Sequence, residues 1–395
     1  MVNISKSFQI FLILIFISIA FLLTLITSFE INKINHEFVI GDWLINYQGG
    51  FVRRGLIGEL IFKFSNFSKI NPGIITSYFH IFFYFLFFLF TFLSICQQKK
   101  LKEYILLIFS PFVFYFQIFD YLGGFRKEII FFSILSCFVW CLNKFDYNIN
   151  EKIFRIILLI FPLVILTHEM FVIFLPYLLA AYYIKTDQKN FPNFKFIMLL
   201  GLSALAFLFS FINPGNVEIA EKIFESLSDV NYPIQGGAIG WLTHDFKHGL
   251  NTVSEYSVKY NYITKYSFAV GLGFLAFIPL RKNIIKIFSN KFAIFFIFCS
   301  LTGSFLLGFV AVDWGRFLYI NLVSLFLISL IKLENEKIEN DNLSWFLLIP
   351  LTIIYFSFWQ IPACCGFVSL TNSNLELINI NKIIFFLQNF SNNYL

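Results

Sequence analysis

Charge is scarce in this chain. Asp, Glu, Lys and Arg make up 13% of its 395 residues, where a soluble globular protein carries about 25%. Hydrophobic residues make up 58%, more apolar surface than a single soluble core would hide. Cysteine is equally thin. Cys96, Cys137, Cys141 and Cys299 fall in or beside apolar runs, and Cys364 and Cys365 are adjacent; neither a disulfide framework nor a zinc spacing is expected. The chain lacks a P-loop, a Rossmann glycine fingerprint, a nucleophile elbow and a His-Glu-x-x-His motif. Alternating strands of about ten residues are also missing, which excludes an outer-membrane barrel. The longest polar connections, Glu30–Pro72 and Asn213–Tyr262, fall short of the 100 or so residues a soluble nucleotide-binding domain takes.

What is present is long continuous apolar runs. Phe alone supplies 59 residues; it shares A/T-rich codons with the frequent Ile, Asn and Lys, so part of this bias is genomic rather than chemical. The runs are Phe8–Ser28, Gly73–Ile95, Tyr104–Phe119, Ile129–Leu142, Ile153–Ile184, Phe196–Ile212, Tyr266–Leu280, Phe292–Val312, Phe317–Ile331 and Leu343–Ile361. They specify an all-α polytopic membrane protein, residues 1–395 forming a single transmembrane domain of about 11 helices. Phe8–Ser28 is too long for a signal-peptide core and ends without a small-x-small cleavage site, so it reads as an uncleaved first helix.

Ile153–Ile184 is ambiguous. As one straight helix it would reach about 48 Å, against a hydrocarbon core of about 30 Å. It carries His168-Glu169 at its middle, between Pro162 and Pro176. It is either one tilted helix with a buried ionisable pair, or two short helices meeting at that pair. The positive-inside rule favours two. With the N-terminus in the cytoplasm, the short basic loops then face inward: Lys99-Lys100, Lys102, Lys144–Arg155, Lys185–Lys195, Arg281–Lys291 and Lys332–Lys337. The polar features of the chain then fall on the outer face, in loops 30–72 and 213–262 and in three shorter segments.

Each of these features admits a functional and a plain structural reading. The first outer loop carries Asp42, then Gly49-Gly50-Phe51-Val52-Arg53-Arg54-Gly55. Its glycines allow close backbone approach to a ligand. Two guanidiniums beside a membrane suit a phosphate, gripped bidentately, or lipid headgroups. Asp120 to Glu128 repeats the pattern of carboxylate, Gly123-Gly124 and then Arg126-Lys127, and reads as an anion site or a polar turn. His168 and Glu169, flanked by apolar residues, are a functional candidate by their cost at membrane depth; either could move protons, Glu169 through a pKa tuned toward neutrality, or they are a packing pair. Asp313-Trp314-Gly315-Arg316 places Asp313 and Arg316 on one helix face, paired with each other or with Arg316 on an anion. Gln235-Gly236-Gly237-Ala238-Ile239-Gly240-Trp241 is a glycine-rich turn whose Trp could line a sugar site. His244 and His248, four apart, lack the further ligands of a metal centre.

Taken together, a Phe/Ile-rich chain of about eleven helices with these outer motifs resembles the bacterial O-antigen or capsular polysaccharide polymerases of the Wzy type, which are similar to GT-C membrane glycosyltransferases. It departs from them in dividing its outer polar residues between two medium loops rather than one large late loop. The resemblance implies an inner-membrane enzyme of lipopolysaccharide or capsule biosynthesis with a GT-C-like helical bundle. It would move a growing glycan from undecaprenyl diphosphate to the next lipid-linked repeat unit at the periplasmic face. By that likeness Asp42 takes the position of the acidic catalytic residue of GT-C enzymes, and Asp42, His168 or Glu169 accepts the acceptor's proton. Arg53, Arg54, Arg126 and Arg316 would neutralise the diphosphate, supported by Gly49, Gly50, Asp120 and Asp313. The implied partners are the lipid-linked oligosaccharide, membrane lipids, and a flippase and chain-length regulator of the same pathway. No cofactor, metal or nucleic acid is implied. Two alternatives stand beside it: a GT-C enzyme adding one sugar from a polyprenyl-phosphate donor, and a lipid-linked glycan flippase.

Overall fold

The computed structural model describes residues 5–186, 194–333, 345–358 and Cys364. Its elements in chain order are α1 (Lys6–Lys33), α2 (Val39–Leu44), α3 (Gly55–Ser68), α4 (Pro72–Cys96), four short pieces α5 (Ile105–Ile108), α6 (Pro111–Phe114), α7 (Phe116–Phe119) and α8 (Tyr121–Gly124), then α9 (Glu128–Lys144), α10 (Tyr147–Thr167), α11 (Phe171–Thr186), α12 (Phe194–Phe211), α13 (Val217–Asp229), α14 (Gly237–Gly240), α15 (Phe246–Lys259), α16 (Tyr262–Phe277), α17 (Arg281–Ile287), α18 (Lys291–Leu307), α19 (Trp314–Ser329) and α20 (Trp345–Phe358). The protein is all-helical, with no strand among the described residues.

Among the described residues, three helices are long and apolar enough to cross a membrane: α1, α4 and the continuous stretch Tyr262–Ile287 formed by α16 and α17. Around them the molecule exposes large apolar side chains to an extent no water-soluble surface tolerates. Examples are Ile156, Leu159, Ile160 and Leu163 on α10, Leu205 and Leu208 on α12, and Phe295, Phe298 and Phe305 on α18. Lipid is the medium that suits such faces.

Local chemistry starts these helices where the polar residues stand. The Ser5 hydroxyl accepts the Phe8 N–H at the head of α1, Asn71 accepts from Gly73 and Ile74 ahead of α4, and Asp146 accepts from Ile149 ahead of α10. Each removes a backbone donor that would otherwise be orphaned. Pro72 sits at the first turn of α4, where its missing N–H costs nothing.

Two runs behave differently from a simple span. Tyr104–Phe119, expected as one helix, is instead the string of short pieces α5 to α7. Ser110 is extended ahead of Pro111, as a residue before proline prefers, and the helix cannot pass it. The broken backbone is buried almost throughout, which is the condition under which irregular chain is tolerated at membrane depth. Ile153–Ile184 divides into α10 and α11, the two-helix reading. The break falls at His168, whose backbone is extended and whose Nδ1 accepts the Met170 N–H at 3.2 Å. Pro162 and Pro176 lie inside the two helices without ending them.

Chain reversals bring the plain ends of the helices together. Gln98 and Asn143 donate to the Leu330 carbonyl, Tyr104 to that of Ser329, Lys185 to that of Lys332, and Asn290 to that of Tyr183. Lys100, Lys144 and Lys185 all belong to this end. The opposite end holds the α1–α3 connection, the α8–α9 and α10–α11 junctions, the head of α19, and a polar layer of α13 to α15. The run Leu343–Ile361 is described only as α20, and Lys189, Lys337 and Leu395 lie outside the described residues. Cys364, expected to form no bridge, is disulfide-bonded.

Candidate functional site

Asp42 stands on α2, a six-residue helix folded back beneath the end of α1. Trp43, fully buried, donates its indole N–H to the Phe125 carbonyl at 3.0 Å, and Tyr84 donates to the Gly124 carbonyl at 2.7 Å. These two bonds tie the Gly123-Gly124-Phe125 turn to α2 and α4. Gly124 has no room for a side chain, because a Cβ would lie 2.2 Å from the Gln117 Cα. The following Arg126-Lys127-Glu128 is thereby delivered to Asp42.

On the other side, α3 packs against the chain leaving α2 so closely that a Cβ on Gly58 would meet the Ile45 carbonyl at 1.8 Å. Glu59, one turn into α3, accepts from the Tyr47 N–H at 2.9 Å and from the Gln48 amide at 3.1 Å. This stapled loop ends at Arg54, whose backbone is left-handed with φ +69°. A bulky residue there is strained by roughly 1–3 kcal/mol unless its surroundings hold it. Two contacts hold it. The Lys127 ammonium donates to the Arg54 carbonyl at 2.9 Å, and the Arg54 guanidinium grips both Glu169 oxygens through Nε, at 3.0 Å, with Nη2 closing to 2.7 Å.

The site residues picked from sequence therefore converge. Glu169 also faces Arg53 at 3.6 Å and the His168 ring at 3.6 Å. Arg316 pairs with Asp313 at 2.5 Å, the expected contact one turn apart, and with Glu128 as well. Arg126 donates to the carbonyls of Phe38 at 2.5 Å and Leu122 at 3.0 Å. Asp120 is a cap, accepting from the Gly123 N–H at 3.1 Å. Gly49 lets α13 approach, its Cβ position lying 2.8 Å from the Ile219 carbonyl, and Gly50 takes a positive φ of 109° in the turn.

Lys127 and Glu128 enter the sequence reading only as members of the Asp120 to Glu128 segment, without roles of their own, and His80 does not enter it. Lys127 is fully buried, as is His80 in the middle of α4. The His80 Nδ1 meets the Ser28 hydroxyl at 3.1 Å, its ring lies 4.9 Å from that of Trp43, and its Nε2 has no partner. An ionisable residue inside a Phe-rich run was the signal for it. Nothing comparable marked Lys127 beyond its place next to Arg126.

The electrostatics assign unequal parts. Burial would raise the Asp42 carboxyl, but Lys127 above all, with Arg126 and Arg54, holds it well below the usual carboxylate range. Asp42 is 2% exposed and its Oδ2 has no hydrogen-bond partner. Glu169 is likewise held far down, burial being overcome first by Arg54, so it does not titrate near neutrality as expected. Burial and then Arg54 keep His168 neutral. Burial pushes Lys127 down to about 8, with Asp42 opposing. Five cations (Arg53, Arg54, Arg126, Lys127, Arg316) thus surround four carboxylates (Asp42, Glu128, Glu169, Asp313). Asp42 and Glu128 each keep one buried oxygen without a hydrogen-bond partner, but Glu128, like Glu169 and Asp313, is held in an ion pair, and no ion pair among the described residues engages Asp42. No group of three metal-ligating side chains occurs among the described residues. Comparison with family models, curated proteins and solved structures finds no match to this chain.

Proposed function

We propose that the protein is a membrane glycosyltransferase acting on lipid-linked sugars, and that its reaction is the polymerisation of undecaprenyl-diphosphate-linked repeat units. The observation carrying this reading is the Asp42 carboxylate, buried among cations with one oxygen unpartnered. In the proposed step the acceptor hydroxyl gives its proton to Asp42 as its oxygen bonds to the anomeric carbon. The bond from that carbon to the diphosphate breaks, and the departing oxygen takes the electron pair. The cations oppose the charge that develops there, a role in which preorganised groups lower the barrier most. Lys127 and Arg53 suit it best: no carboxylate among the described residues pairs with Lys127 and Arg53 meets Glu169 only at 3.6 Å, whereas carboxylates hold Arg54 and Arg316 in close hydrogen-bonded pairs. Asp42 is preferred as base over Glu169, which is clamped by Arg54, and over His168, whose Nδ1 already accepts a backbone N–H.

About eleven spans, a GT-C-like bundle and a periplasmic site in a bacterial inner membrane belong to the same proposal. The gathering of basic loops at the opposite end supports that orientation. Transfer of a single sugar from a polyprenyl phosphate would use the same base. A flippase is less favoured, because the charges cluster at helix ends rather than along a path through helix centres. Deletion of the gene tests the reading. A surface glycan reduced from a ladder to a single-repeat band supports polymerisation, and an unchanged ladder refutes it.

A further inference from the structure

The polar layer over the site contains an aromatic group that the catalytic cluster does not use. Trp241 follows α14 immediately, and its ring meets His244 at 5.1 Å and His248 at 5.4 Å, while the two imidazoles stack at 4.0 Å with a 12° angle between planes. All three side chains are exposed. Their neighbours explain the outward aim. Ile239 is fully buried and Leu242 nearly so, which leaves Trp241 on the open side of the same short turn. Asp245 accepts the His248 N–H at 2.8 Å and fixes that residue at the head of α15.

Two junctions seat this group beside the site. The Ala238 N–H donates to the Glu37 carbonyl at 3.3 Å, and a Cβ on Gly237 would meet that same carbonyl at 2.4 Å, so α14 lies directly on the chain entering α2 and Asp42. Gly215 packs against both Leu242 and Val52, and Val52 precedes Arg53, whose N–H donates to the Asn213 carbonyl at 3.0 Å.

We propose that Trp241, His244 and His248 form a carbohydrate subsite that receives the acceptor glycan; this rests on the glycosyltransferase reading of the adjoining cluster. Pyranose rings present an apolar C–H face and a polar rim, which matches a flat indole edged by imidazole nitrogens. A metal is a poorer fit to the histidines. An ion lies in the plane of each imidazole it binds, at about 2.0–2.1 Å, and two nearly parallel stacked planes share no such point.

The test uses the full-length protein in lipid nanodiscs on a printed array of mono- and oligosaccharides. Capture by at least one glycan is expected. Trp241→Ala should weaken it by about fivefold or more, while Trp241→Phe, which keeps an aromatic face, should retain most of it. No capture above that of empty nanodiscs, or undiminished capture by Trp241→Ala, would overturn the proposal. So would quenching of the Trp241 emission (wild type minus Trp241→Phe) by headgroup-depth spin-labelled lipid, which would make the residue a membrane anchor. Glycan capture does not require turnover. An Asp42→Asn strain with an unchanged surface glycan would therefore sink the transferase reading by itself.

Discussion

Arg54 joins two costs that can be separated by experiment: a left-handed backbone and a partly buried ion pair. Replacing it with Ala leaves Glu169 charged, 13% exposed on its side chain, faced by Arg53 at 3.6 Å and by the neutral His168 ring at 3.6 Å. Removing one partner of a fully buried pair costs about 3–5 kcal/mol. The Arg54 side chain is 26% exposed, so solvent screening reduces the expected loss to about 2 kcal/mol. Arg54→Gly loses the same pair but suits φ +69°, so it should be more stable than Arg54→Ala by about 1 kcal/mol. Glu169→Gln in the Arg54→Ala background removes the stranded charge and should recover about half of the loss. The assay is SDS-induced unfolding of the purified protein in mixed micelles, followed by circular dichroism. The pH dependence provides a second check. Because the folded Glu169 pKa is depressed, the pair's stabilisation is present above the ordinary Glu pKa of 4.5 and fades as pH falls below it. Equal stabilities for the Ala and Gly variants, with no recovery in the double variant, would refute both the strain and the pairing argument.

Five further outcomes follow from the same structure. Asp42→Asn should express at wild-type levels yet abolish glycan chain growth, read on a gel of surface polysaccharide. Inorganic pyrophosphate should bind the purified protein by calorimetry, with Arg53→Ala losing about tenfold and Arg53→Lys less, since lysine keeps charge without the planar fork. Lys127, pushed down to about 8, should lose its charge as pH rises through that value. Pyrophosphate affinity should then fall above pH 8 in the wild type more steeply than in Lys127→Met, and identical profiles would remove Lys127 from the anion site. Gly58→Ala should fail to accumulate in membranes, because its Cβ has only 1.8 Å to the Ile45 carbonyl. Alkaline phosphatase fusions should be active at Phe51 and Ile239 and inactive at Lys100 and Lys286; the reverse pattern would invert the proposed orientation.

Much of this molecule was legible in its residues, because hydrophobicity and capping act locally. Long apolar runs other than Tyr104–Phe119 made helices, and Ser5, Asn71 and Asp146 began three of them where a side-chain acceptor could satisfy the first N–H groups. Asp42, Arg53, Arg54, Arg126, His168, Glu169, Asp313 and Arg316 stood out because charge in so apolar a chain is costly unless something answers it. What answers it was decided only in three dimensions. The pairing of Arg54 with Glu169 spans 115 positions and that of Arg316 with Glu128 spans 188, and no periodicity encodes contacts of such range. Tyr104–Phe119 was misread as a span because hydropathy counts apolar atoms and not where they are buried; packed inside the protein, a broken chain is as acceptable as a helix. The burial of Lys127 and His80, and the free oxygen left on Asp42, likewise depend on which helices close over them. Local sequence chose the elements and marked the expensive residues; long-range packing chose their partners, and with them left Asp42 outside the ion pairs that hold Glu128, Glu169 and Asp313.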